Sequence, residues 1–531
     1  MRRLFAEQRW QELVRRVESS PQAGADMDYY YGSALAQLGR WEEARQALLR
    51  GANRAPSDKR FPIELAGVAF KQKDYPQATR WLRRGLQIDP GDKYANDFLG
   101  TTYFLENNLE AALKYWNRAD KPMIESIRVP PDLKIKPALL DRALSFSPWE
   151  TLERSQLLNS QARVEGLGVF PDFRFQLEAR QGGQFDLTFQ GAERNGWGTN
   201  KWEALLSVFR GVLDETIYPS YYNIGGRAMN VKSQVRWDAQ KRRLEETFSS
   251  PLHGNPRFRY ALALDLRNEN WDIRPAFTGS PPLLGALNLR RESVAGQITS
   301  FAGGRWTWST GVEFTDRQYR NVFLGSSLSP EVLLEGPQLK HLAQVNYELV
   351  RVPEHRLTIR SGISSQLARV WSSSSHTFEK LQASLEGRWF PQAEGDDYEM
   401  QARLRAGKTF GQVPFDELYE LGLDRDNQLG MRAHIATREG RKGSAPLGRQ
   451  YVLWNWEMDK RVYSYRFLRI KLGPFLDTGR INDPSPGLGS RKWLVDTGLQ
   501  LKLSAFGVQV GLLYGKDLRS GINAYRLIAP R

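Results

Sequence analysis

From residue 201 to the end, polar and apolar side chains change places at almost every step. Fifteen such segments follow one another, the first Lys201–Leu213 and the last Ile522–Ile528. A period of two is the signature of a strand, whose successive side chains point to opposite faces. Here the polar face is rich in Arg, Lys, Asp and Glu, and the other in Leu, Val, Ile and Trp. A sheet with those two faces is inside-out relative to a water-soluble sandwich and fits a cylinder with a polar lumen and lipid around it. The sequence therefore predicts a transmembrane antiparallel β-barrel over 197–531. An open edge in lipid would strand backbone groups, so closure and an even strand number are expected, about 16, with one further strand within Trp271–Leu289. No apolar run approaches the roughly 18 residues of a membrane helix, while sixteen Trp and twenty Tyr suit aromatic girdles.

Parity then assigns faces near the C-terminus. In Tyr465–Asp477, Phe467, Arg469, Lys471, Gly473, Phe475 and Asp477 share the inner face, and Leu468, Ile470, Leu472 and Leu476 the outer one. In YVLWNWEMDKR, Asn455, Glu457 and Asp459 point inward; in WLVDTGLQLKL, Asp496, Gly498, Gln500 and Lys502 do. Three strands thus aim Glu457, Asp477 and Asp496 into one interior, and the long segment just before them carries Arg432. A loop folded back inside would bring that guanidinium to a carboxylate, a pairing that bidentate geometry favours.

Two short motifs, Met431-Arg432-Ala433-His434 and Phe475-Leu476-Asp477-Thr478-Gly479, resemble the POTRA-barrel superfamily of outer-membrane assembly factors and two-partner secretion transporters. Its members carry a sixth extracellular loop ending in Val-Arg-Gly-Phe/Tyr, whose Arg reaches the Asp of a Phe-x-Asp-x-Gly strand. The resemblance implies a lock between Arg432 and Asp477, with Glu457 and Asp496 assisting. Ala433 stands where the family has Gly, and His434 where it has an aromatic residue. Tyr222–Gly226 and Phe248–Leu252 are similar to the family's opening hairpins, whereas the ending Leu527–Arg531 lacks the usual terminal aromatic residue.

Chemistry of other kinds finds little support. With no cysteine there is no disulfide framework, thiolate site or cysteine nucleophile. The five histidines, at 253, 341, 355, 376 and 434, show no zinc-ligand spacing, and neither a Gly-x-Ser-x-Gly elbow nor a phosphate-binding Gly loop occurs. No catalytic residue, metal site or cofactor is expected, nor an enzyme. The net charge of +15 is spread along the chain, which argues against a nucleic-acid-binding arm.

The first 121 residues follow a different rule. Gly32, Ala66 and Gly100 are 34 apart, as are Leu35, Ala69 and Tyr103, then Ala44, Ala78 and Ala112, then Leu48, Leu82 and Trp116. Small residues recurring where helices touch and large ones where hairpins stack mark tetratricopeptide (TPR) repeats, an α-helical solenoid over 1–121 that either offers a groove to a periplasmic partner or serves as a spacer orienting the next domain. After Pro122 the order is a strand at Ile124–Arg128, helices at Pro137–Leu144 and Thr151–Leu167, then strands at Phe173–Glu178 and Phe185–Phe189 around Gly182-Gly183. This βααββ order, with LGVF between helix and strand, is similar to one polypeptide-transport-associated (POTRA) domain, an α+β module over 122–196.

The expected protein is multidomain and resides in the bacterial outer membrane, with TPR and POTRA domains in the periplasm. Met1-Arg2-Arg3 is basic, but Leu4–Val17 is an amphipathic helix rather than the apolar core of a signal peptide, so no signal peptide is read in this sequence. The expected partners are an unfolded or secreted protein client and outer-membrane lipid. Two competitors are a TPR-barrel exporter of polysaccharide and a scaffold that transports nothing.

Overall fold

In a computed structural model the described residues are 1–19, 24–180, 183–274, 282–326, 328–391, 397–465, 468–485, 487–490, 492–505 and 508–528. Phe467 and Gly182 lie outside them, as does part of Trp271–Leu289. The chain divides into two compact units. The first comprises Met1–Arg128, Phe146–Arg154 and Gln176–Thr188; the second is the remainder.

Eight helices fill the start of the first unit: α1 (Arg2–Ala6), α2 (Trp10–Ser19), α3 (Ala25–Gln37), α4 (Trp41–Arg54), α5 (Arg60–Lys71), α6 (Tyr75–Ile88), α7 (Lys93–Leu105) and α8 (Leu109–Trp116). Asp74, Asp92 and Asn108 accept the N–H of Gln77, Ala95 and Ala111 and start α6, α7 and α8. The periodic small residues do what their spacing implies. A Cβ on Gly32 would lie 2.6 Å from the Leu48 side chain, and one on Gly100 would lie 2.4 Å from Trp116. The same contact recurs at these two equivalent positions, where a bare backbone lets the paired helices approach closely; the middle repeat places the small Ala66 there. Strands β1 (Met123–Arg128), β2 (Phe173–Ala179) and β3 (Gln184–Gly191) form a sheet of order β1-β3-β2, with β1 parallel to β3. The βααββ order holds, but its sheet falls largely in the first unit and its helices, α9 (Pro137–Ala143) and nearly all of α10 (Arg154–Leu167), in the second.

The second unit is organised by one large, mainly antiparallel sheet. Its opening strands are β4 (Thr216–Ile217), β5 (Ser220–Ile224), β6 (Met229–Trp237), β7 (Lys241–Leu252), β8 (Asn255–Ile273) and β9 (Gly285–Ser300). Then come β10 (Trp306–Leu324), β11 (Gln338–Val352), β12 (Leu357–Trp371), β13 (Ser375–Trp389) and β14 (Tyr398–Gly411). A long loop holds the two-residue strands β15 (Tyr419–Glu420), β16 (Thr437–Arg438), β17 (Arg441–Lys442) and β18 (Leu447–Gly448). The closing strands are β19 (Gln450–Tyr465), β20 (Leu468–Asn482), β21 (Leu494–Ala505), β22 (Val508–Asp517) and β23 (Asn523–Ile528). Hairpin follows hairpin, and β23 stands next to β4 in the strand order.

The two faces separate as alternation requires. Leu262, Val294, Val312, Ile363, Leu381, Leu404, Val452, Leu472, Leu499 and Leu512 are exposed, one on nearly every strand from β8 to β22. Arg236, Arg243, Arg291, Arg317, Lys340, Glu399, Asp459, Asp477 and Asp496 are buried on the opposite face. Among the described residues no helix is long and apolar enough to cross a membrane.

One segment departs from its expected form. Alternation predicts a strand over Lys201–Leu213; Lys201–Phe209 is instead a helix, α11, followed by a 3-10 turn at Val212–Asp214. The Asn200 side chain accepts the N–H groups of Trp202 and Glu203, and that cap decides between helix and strand for a short apolar run. The first wall strand lies just beyond, at β4 and β5, along the same edge of β6. The described ends of Trp271–Leu289 belong to β8 and β9, and no separate strand stands there among the described residues.

Candidate functional site

The loop between β14 and β19 is buried along most of its length and lies against the polar face of the sheet. Register sets its target. Asn455 faces Asp477, Asp477 faces Asp496, and Asp496 faces Asp517, so that β19 to β22 present an almost unbroken row of carboxylates. Buried like charges side by side are costly and call for cations or donors. The loop supplies them from three consecutive residues.

Arg432 uses all five of its side-chain N–H groups. Nε donates to Asp477 Oδ2 at 2.9 Å and Nη2 to Asp477 Oδ1 at 2.6 Å. Nη1 donates to Glu457 Oε2 at 2.7 Å and Gln500 Oε1 at 3.0 Å, and the second Nη2 hydrogen reaches the Trp456 carbonyl at 3.3 Å. The Arg432 backbone N–H adds a bond of 2.9 Å to Asp477, which also accepts from Asn455 Nδ2 at 2.7 Å. Beneath the guanidinium lies the ring of Phe475, 4.1 Å from Cζ to the centroid, a cation–π contact in a dry setting. Gly498 stands opposite Phe475, and a Cβ there would come within 2.9 Å of that ring.

The next two loop residues serve the next acids. Ala433 N donates to Asp496 Oδ2 at 2.7 Å, and His434 Nδ1 lies 3.0 Å from the same oxygen. The other ring nitrogen of His434 is 3.7 Å from Asp517. Ala433 is accommodated because the wall residue it meets is Gly515, whose added Cβ would be 3.4 Å from Ala433 Cβ. Met431 is fully buried with Tyr419, Leu421, Leu429, Tyr451, Leu453 and Ile481, and Gly479 leaves room for Leu421 and Leu453. Glu457 is shared: Lys502 Nζ is 2.6 Å from it and 2.6 Å from Asp459. His434, Asp496 and Asp517 place three ligand-type atoms within 4.8 Å of one another, but their contacts are those of a hydrogen-bonded imidazole between carboxylates.

Two further tethers escaped the sequence reading. At the start of the loop, Glu417 lies 2.7 Å from Lys340 and 3.2 Å from Lys380, and Asp416 accepts from Tyr319 Oη at 2.9 Å and lies 3.2 Å from Arg317. Further on, Asp426 takes Arg236 at 2.6 Å and Arg243 at 2.7 Å. Inward parity was readable for these basic residues. Their partners were not, because only the folded loop decides which acid meets which wall. Near the second tether, burial pushes the Glu420 carboxyl up to about 8.

No family model and no curated protein matches the chain. Solved structures similar to it include BamA from Haemophilus ducreyi lacking POTRA domains 1-3, at 13% identity over 77% of this chain and 83% of that one, TM-score 0.42. CdiB from Escherichia coli is 12% identical over 77% of this chain and 74% of its own, TM-score 0.46. MamA is 23% identical over 18% of this chain and 56% of its own, TM-score 0.18.

Proposed function

We propose that this chain is an outer-membrane β-barrel protein that inserts or translocates protein clients, with its large sheet closed around the tethered loop. The observation that carries this reading is the Arg432–Asp477 lock, in which a loop guanidinium satisfied at every donor sits on a buried wall aspartate. Contact between the segments Met431–His434 and Phe475–Gly479 supports the superfamily resemblance. An apolar outer face on nearly every strand, opposite a charged inner one, supports placement in lipid. In this reading residues 1–121 are periplasmic TPR repeats, 122–196 a POTRA module and 197–531 the barrel. The repeat groove and the POTRA sheet collect an unfolded client and deliver it to the barrel, where the lock holds the loop until the client arrives.

The test is to export the chain behind a secretory signal, isolate outer membranes, and compare outer-membrane and secreted proteins with and without Arg432→Glu. A fall in particular barrel or secreted proteins, with the variant still in the outer membrane, is the expected result. Unchanged proteins beside altered surface polysaccharide would replace this reading with a polysaccharide exporter.

A further inference from the structure

Strands β4 and β5 give one edge to β6; their other edge faces the seam toward the end of the chain. On that far edge the donors are taken by the segment just upstream. Thr216 N bonds Gly211 O at 3.1 Å, Tyr218 N bonds Val208 O at 2.9 Å, and Tyr222 exchanges bonds with Gly196 at 2.7 and 2.9 Å. Hydrogen bonds from a strand edge run in the plane of the sheet. Helix α11 therefore stands beside the first strand, where it meets both β4 and β22.

Its two sides differ sharply in chemistry. Glu203 is buried and accepts from Arg194 Nε at 2.7 Å and from Thr199 N at 2.5 Å. The guanidinium groups of Arg194 and Arg210 lie over the rings of Tyr222 and Tyr218, at 5.1 and 4.4 Å. Both rings are buried, and Tyr218 also receives a hydrogen bond from Arg425 of the tethered loop at 3.0 Å, which marks this side as the inner one. The opposite side carries Trp202, Leu205, Leu206 and Phe209, exposed by 63%, 50%, 41% and 49%. Spacings of three, one and three residues put all four on one stripe of a helix. Trp197, just upstream, packs edge-on to the exposed ring of Tyr221 at 5.5 Å, so the stripe continues onto the outward face of β5.

We infer that α11 lies along the first strand at the seam and lays Trp202, Leu205, Leu206 and Phe209 on the lipid of the bilayer. This rests on the membrane reading above. The occupant is lipid because the stripe runs through Trp197 onto exposed Tyr221 of β5, and β22, which α11 also meets, exposes Leu512. It is also because the polar side of the same helix is already spent on inward-facing groups. An amphipathic helix with one apolar stripe and a paired polar side suits the boundary between acyl chains and headgroups.

The chain has no cysteine, so single introduced cysteines carry a polarity-sensitive fluorophore at one site. Leu206→Cys and Phe209→Cys report on the stripe, and Ile363→Cys on the exposed face of β12 serves as reference. Each labelled protein is reconstituted in phosphatidylethanolamine–phosphatidylglycerol vesicles containing spin-labelled phospholipid, and iodide is added separately. The expected result is quenching by the spin-labelled lipid at all three sites, several-fold stronger than quenching by iodide. Lipid quenching at 363 with only iodide quenching at 206 and 209 would overturn the inference, leaving the barrel reading intact and pointing to a stripe that faces water or a client. Absence of lipid quenching at 363 as well would overturn the membrane reading and the inference with it.

Discussion

Replacing Asp477 by Ala tests the lock most directly. The substitution removes the acceptor for the Arg432 backbone N–H, for Nε, for one Nη2 hydrogen and for Asn455 Nδ2. Breaking a buried ion pair from one side costs about 3–5 kcal/mol, since the surviving charge keeps its desolvation penalty. Glu457 remains 2.7 Å from Nη1, so the guanidinium retains one counter-ion. The cost then falls near the lower end, about 3 kcal/mol. Arg432→Met alone leaves Asp477 buried beside Asp496 with only Asn455 as a side-chain donor, a loss of similar size. The double variant has neither orphan, and the two losses do not add: a coupling of about 2 kcal/mol is expected for residues in direct contact. Reversible urea unfolding of the four proteins in detergent micelles, followed by tryptophan fluorescence, measures it. Coupling below about 0.5 kcal/mol, the scatter of independent sites, would refute the reasoning that these residues form one buried pair.

Three more outcomes follow from the same geometry. Ala433→Cys with Gly515→Cys should form a disulfide under mild oxidation, because Cβ atoms placed near 3.4 Å apart approach the usual bridging distance; faster migration on non-reducing gels reports it, and Asp477→Ala should slow its formation. Asp426→Asn leaves Arg236 and Arg243 without their shared counter-ion and should cost about 3 kcal/mol, adding to Asp477→Ala in unfolding because the two tethers share no residue. Glu420 has a carboxyl pushed up to about 8 by burial, so the folded chain holds a proton that the unfolded chain releases near pH 4.5; stability from this group is present at low pH and declines as pH rises to about 8, and Glu420→Gln should flatten that decline in melting temperatures taken from pH 5 to 9.

The fold was legible wherever a period was long and unambiguous. Two-residue alternation over β19 to β21 assigned inner and outer faces that the burial of Asp477, Phe475 and Asp459 and the exposure of Leu472 and Val452 match. The lock was legible because two short motifs limited the choice to one guanidinium and one strand. Helix α11 was misread because Lys201–Phe209 is short and mostly apolar, where a strand and a helix look alike. The signal that separates them, Asn200 followed three residues later by Glu203, was present in the sequence. The tethers at Asp416, Glu417 and Asp426 were beyond reach, since their partners are 37 to 190 residues away in sequence and are chosen only by how the loop lies.

The three attachments described above differ in sign from one part of the sheet to another. Its acids at 416, 417 and 426 meet Arg and Lys from β6 to β13, whereas its cation at 432 meets carboxylates from β19 and β20. The segment is therefore keyed to the sheet by charge at each attachment, and a shifted segment would bring Arg432 or Glu417 away from the partners that match them. Seating is thus single-valued, and any sliding of the segment must break pairs at both ends before new ones can form.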